Sequence, residues 1–97
     1  MTYVIDIDDT IFRSEMTEAG KYRLIDADLD MITKINELYQ DGNAVILYTG
    51  RHWNHLSQTK RDLERYGVDY TTLVMGKPVG DVYVDDKAMR PEEFLCQ

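Results

Sequence analysis

Asp6 and Asp8, separated by one residue in the run Asp6-Ile7-Asp8-Asp9-Thr10, are the residues of this chain best suited to chemistry. They follow the apolar run Tyr3-Val4-Ile5, which reads as a buried strand. Like charges at short range disfavour joint ionisation, so two such carboxylates at a strand end carry an energetic cost. A bound cation or a phosphoryl-transfer site would justify that cost. The plain alternative is an acidic turn in which Asp8, Asp9 or Thr10 caps a following helix.

The elements that must position this pair alternate between strand and helix. Tyr3 to Ile7 reads as the first strand, and Ile11 to Leu24 as an irregular excursion with a turn of helix and a small hairpin. Asp28 to Asp41 reads as a helix, with Leu29, Ile32, Ile35 and Leu38 at helical spacing and Gly42 as its stop. Val45-Ile46-Leu47-Tyr48 is a continuous apolar run, the pattern of a strand buried on both faces. Asn54 to Tyr66 reads as a second helix closed by Gly67. Thr72 to Met75 reads as a third strand, Val82-Tyr83-Val84 as a fourth, and Pro91 opens a short terminal helix ending near Cys96. This order predicts right-handed crossovers and a parallel sheet covered by helices. The expected class is α/β: a Rossmann-like three-layer α/β/α sandwich with a small parallel sheet, spanning 1–97 as one domain.

Ligands of an open parallel sheet bind outside the carboxyl ends of its strands. Asp6 and Asp8 follow the first strand, Thr49-Gly50-Arg51 the second, Gly76-Lys77-Pro78 the third and Asp85-Asp86 the fourth. The unusual polar residues therefore converge on one predicted edge. Carboxylates serve as nucleophiles and as ligands for a hard cation such as Mg²⁺. A lysine and a threonine can neutralise and hydrogen-bond phosphoryl oxygens. Taken alone, Asp85-Asp86 reads as a solvated loop, Lys77 as a surface lysine and Thr49 as a turn or cap residue. Their order along the chain favours the site reading.

This ordered set resembles the four motifs of the haloacid dehalogenase superfamily, in particular its phosphatases: DxDxT at Asp6 to Thr10, Thr49, Lys77, and the acid pair Asp85 and Asp86. The segment from Lys77 onward also resembles capless phosphatases of capsule and sugar-phosphate biosynthesis. The resemblance implies a Mg²⁺-dependent phosphatase that hydrolyses a phosphomonoester through an aspartyl-phosphate. In that reading Asp6 is the nucleophile and a metal ligand. Asp8 is the general acid/base and ligates the metal through its carbonyl. Thr49 and Lys77 bind the phosphoryl group, with Lys77 also counted as catalytic, and Asp85 and Asp86 complete the Mg²⁺ site. Gly50 and Arg51, beside the phosphate-binding turn, are read with them as substrate-binding, a surface salt bridge being the equal alternative for Arg51. The acid at Asp8 points to phosphoryl transfer rather than dehalogenation. Asp9 stands where the family often has glycine. Neither the interval Ile11 to Leu24 nor that from Val74 to Lys77 has room for a cap domain, so the resemblance implies a minimal core with an open site and makes a homo-oligomer covering it an expectation.

Composition narrows the partners. The chain has 97 residues and is 43 % hydrophobic, enough for one packed core and unlike a disordered chain. Its formal charge of −7 argues against nucleic acid and anionic membrane as partners. The resemblance implies a small phosphorylated metabolite as the partner. No apolar run has the length of a membrane span, and no basic and apolar leader is evident. The lone Cys96 forms no internal disulfide, so a cytoplasmic location is expected. His52, His55 and Trp53 read as surface or packing residues. Three rival functions stand beside this reading. A non-enzymatic regulator resembling a receiver domain conflicts with motif order, because its phosphoacceptor follows a later strand. A degenerate member used for interaction conflicts with the intact acid and lysine set. A nucleic-acid end phosphatase would need a basic patch, for which only Lys60, Arg61 and Arg65 are available.

Overall fold

The computed structural model describes residues 1–97. Three strands, β1 (Thr2–Asp6), β4 (Ala44–Tyr48) and β5 (Thr72–Val74), form a parallel sheet in the order β1-β4-β5. Two further strands, β2 (Phe12–Met16) and β3 (Tyr22–Ala27), make a separate antiparallel hairpin. The helices are α1 (Leu29–Gln40), α2 (Leu56–Arg65) and α3 (Pro91–Leu95), with a 3-10 turn at Trp53–His55 leading into α2. The chain is thus a small α/β fold built on a parallel sheet.

Local chemistry explains the boundaries. Asp28 caps α1 by accepting a hydrogen bond from the Met31 amide at 3.0 Å. Gly42 and Gly67 follow α1 and α2 with φ of 89° and 65°, the left-handed region that glycine enters without a Cβ clash. Pro91 occupies the first turn of α3, where its missing N–H costs nothing.

Val45 and Leu47 of β4 are fully buried, together with Ile7, Met31 and Ile35. They belong to one apolar cluster that takes in Leu63 of α2 and Phe94 of α3. The opposite face of β4 is only partly covered, so its apolar run is not buried on both sides as expected. Helix α1 turns Met31, Ile32 and Ile35 inward and leaves Leu29 exposed, shifting the expected stripe.

Two expectations about secondary structure fail. The excursion after β1 holds the expected hairpin, β2–β3, which runs on to Ala27, but no helical turn. Val82-Tyr83-Val84 is not a fourth strand. These residues are exposed coil, with Val84 95 % accessible, and make no backbone hydrogen bond to a neighbouring strand. The outer edge of β1 is therefore left unpaired, and Val4 on it is exposed. A three-residue apolar run has strand propensity, but it becomes a strand only when a ladder forms.

Candidate active site at the carboxyl edge of the sheet

The turn after β1 is tight. The Ile7 carbonyl accepts the amides of Thr10, Ile11 and Phe12, and the Asp9 amide donates to the Phe12 carbonyl at 2.7 Å. Asp9 takes a φ of 63°, a conformation that aspartate tolerates better than most residues and that glycine adopts freely. No helix follows, so Asp8, Asp9 and Thr10 cap nothing. The chain turns instead into the hairpin.

The loops after β4 and β5 continue the pairing of their strands. The Thr49 amide donates to Val74 O at 3.0 Å, the Lys77 amide to Thr49 O at 2.8 Å, and the Gly76 amide to Arg51 O at 2.9 Å. Lys77 is thereby fixed beside the end of β1, and its ammonium lies 3.8 Å from Asp6 Oδ1. The ammonium also lies over the rings of Tyr48 and Tyr83, 4.3 and 4.2 Å from their centroids. Tyr83 is held by its hydroxyl, which donates to Pro78 O at 3.0 Å and accepts the Gly80 amide at 2.9 Å.

Burial raises the pKa of Asp6 above the usual carboxylate range. Lys77 opposes the shift, while the charges of Asp8 and Asp9 add to it. Asp6 thus carries negative charge that one lysine only partly offsets.

Asp8 sits in a different environment. Thr49 Oγ1 donates to its Oδ2 at 2.5 Å, and Arg51 Nε to its Oδ1 at 3.1 Å. Arg51 Nη2 completes the ion pair at 3.1 Å, and Ser14 of β2 donates to Oδ1 at 3.4 Å. Arg51 is 1 % exposed and Thr49 fully buried. Thr49 was expected to bind substrate, and Arg51 to bind substrate or form a surface salt bridge; in the structure both point at Asp8, and the Arg51 ion pair is buried rather than on the surface. Gly50 remains exposed beside them, and a Cβ there would come within 2.7 Å of Val79 Cγ2.

The structure joins Asp6 with Lys77, and Asp8 with Thr49 and Arg51. It does not bring Asp85 and Asp86 to them. Both lie on exposed coil, where Asp85 Oδ1 accepts the Lys87 amide at 2.8 Å. No group of three or more acidic, histidine or cysteine side chains is placed to hold a metal. The donor set Asp6, Asp8, Asp85 and Asp86 therefore does not fit a resident Mg²⁺ as placed. The physical reason is the missing fourth strand, which was to carry the second acid pair to this edge.

Sequence reasoning missed Ser14, Tyr22, Thr59 and Asp62. Ser14 and Tyr22 belong to the segment read as irregular. A signal for the others was present: His55, Thr59, Asp62 and Tyr66 recur at helical spacing, a partly polar stripe on the side of α2 that also carries the buried Leu63.

No protein-family model matches the chain, and no curated protein matches it. The fold is similar to the crystal structure of a target protein from Vibrio cholerae, with a TM-score of 0.79 and 23 % identity over 99 % of this chain and 88 % of that one. At that identity the likeness shows the fold alone.

Proposed function

We propose that this chain is a phosphatase of the haloacid dehalogenase type, with a minimal three-layer α/β/α core and no cap, acting on a small phosphomonoester such as a sugar phosphate. One observation carries the reading. Two carboxylates at the end of β1 meet a lysine from the end of β5 and a threonine from the end of β4, with Lys77 3.8 Å from Asp6 and Thr49 2.5 Å from Asp8.

In this mechanism a carboxylate oxygen of Asp6 attacks phosphorus and the phosphorus–ester oxygen bond breaks, leaving an aspartyl-phosphate. Asp8 protonates the departing alkoxide. Water then attacks the phosphoenzyme, Asp8 takes its proton, and inorganic phosphate leaves with Asp6 restored. Lys77 offsets the charge on the phosphoryl oxygens. Magnesium dependence enters this reading through the resemblance. The placement of Asp85 and Asp86 gives it no support, and no step above runs through a cation.

That same placement favours a second reading, a phosphate-binding domain without turnover. Phosphate release from a panel of sugar phosphates, nucleotides and an aryl phosphate separates the two. Release that depends on Asp6 supports the phosphatase. A folded protein that binds phosphate and releases none supports the binding domain.

A further inference from the structure

Arg51 is the most completely enclosed charged side chain in the molecule, at 1 % exposure, and it faces away from solvent. Its guanidinium is shared among four elements. Nε and Nη2 hold Asp8 at 3.1 Å in the turn after β1. Nη1 donates to Thr59 at 3.2 Å and stands 3.6 Å from Asp62, both on α2. Nη2 donates to Ser14 of β2 at 3.1 Å, and the ring of Tyr22 on β3 lies 4.2 Å from the guanidinium carbon. Tyr22 is itself seated firmly. Its ring packs T-shaped with that of His55, centroids 4.9 Å apart, and the Gln58 side-chain amide brackets its backbone, accepting from N at 3.2 Å and donating to O.

A buried charge is tolerated only when paired and hydrogen-bonded. Here the satisfying partners come from the hairpin, from α2 and from Asp8 together. None of them can move without disturbing the others, because the planar fork fixes several directions at once. We propose that Arg51 is a positioning residue that orients the Asp8 carboxylate, and that the seating of Tyr22 on Arg51 couples this orientation to the β2–β3 hairpin. A ligand group that presses on or lifts the hairpin is then felt at Asp8. The proposal rests on the phosphatase reading for its kinetic consequence and on geometry alone for the coupling.

The test is a double-mutant cycle on the full chain with an aryl phosphate, using Tyr22→Leu, Asp8→Asn and the pair. Tyr22→Leu is expected to lower kcat about tenfold with KM changed less than about twofold, and to add nothing in the Asp8→Asn background. Tyr22→Phe, which keeps the ring and the backbone bonds, is expected to retain the wild-type rate. Equal losses from Tyr22→Leu in both backgrounds, or no loss in either, overturn the coupling. A wild-type protein with no turnover refutes the phosphatase reading instead, and the coupling is then read by ¹⁵N NMR from the Arg51 Nε–H. Slow exchange with water in the wild type and Tyr22→Phe, and fast exchange in Tyr22→Leu and Asp8→Asn, supports it. The same exchange rate in all four overturns it.

Discussion

Lys77 approaches Asp6 from a strand that is not its neighbour in the sheet. Its ammonium stands 3.8 Å from the Asp6 carboxylate, over the rings of Tyr48 and Tyr83. The loop after β5 is therefore as much a part of this site as the turn after β1.

Replacing Asp6 by Asn should remove activity and stabilise the fold together. Loss of the nucleophile is expected to lower turnover on the order of 10⁴-fold or more. Burial first, and then Asp8 and Asp9, raise the Asp6 pKa against the pull of Lys77. Between the ordinary carboxylate range and this raised value the folded state holds the extra proton. Stability then falls as pH rises through that window and stays lower above it. The variant should melt above the wild type at pH 7, and the difference should close towards acid pH. Thermal melts across that range check it, and a lower melting temperature at pH 7 contradicts the assigned burial cost.

In the proposed mechanism Asp6 must be ionised to attack. The acid limb of kcat/KM should accordingly lie above the ordinary carboxylate range. Asp9→Asn removes one of the charges that raise it and tolerates the same backbone, so this limb should move to lower pH. A pH–rate profile of both proteins decides; an unmoved limb separates Asp9 from the field at Asp6.

Asp8→Asn should slow turnover by about 10²–10⁴-fold, the usual range for a lost general acid/base. In the proposed mechanism hydrolysis of the phosphoenzyme needs Asp8 as base, so labelled phosphate should accumulate on the protein. Acid quench with ³²P-substrate measures this. Normal turnover in the variant would remove Asp8 from the chemistry.

Asp85→Ala tests the resemblance where the structure departs from it. Asp85 is exposed and its side chain accepts a hydrogen bond from the Lys87 amide two residues on, so its loss should change stability by no more than about 0.5 kcal/mol. The phosphatase reading expects release to stop in chelator and to fall sharply in this variant. Mg²⁺-dependent release at the wild-type rate would exclude Asp85 as a ligand.

Ile35 is fully buried on α1 within the central apolar cluster. Ile35→Ala should cost about 2–5 kcal/mol, measured by urea unfolding. A smaller cost would mean that α1 settles into the gap.

Much of the architecture was legible because local signals agree there. The continuous apolar run Val45 to Tyr48, the helical stripe bounded by Asp28 and Gly42, and Pro91 at a first turn each mark an observed element. Val82 to Val84 carried a strand pattern with nothing to say which strand it would pair with, and it remains coil. The site divided in the same way. Asp6, Asp8, Thr49 and Lys77 could be placed because strand ends in a parallel sheet share one edge. The inward turn of Arg51 could not, because it depends on Ser14, Tyr22, Thr59 and Asp62 arriving from three other segments.

The unpaired side of β1 also governs how copies of this chain behave towards one another. It offers a row of free amides and carbonyls beside the exposed Val4, the kind of template that captures extended strands. At neutral pH the net charge of −7 keeps approaching molecules apart. Near pH 4.6 that repulsion vanishes while the template remains, so loss of colloidal stability should begin at this edge rather than in the core.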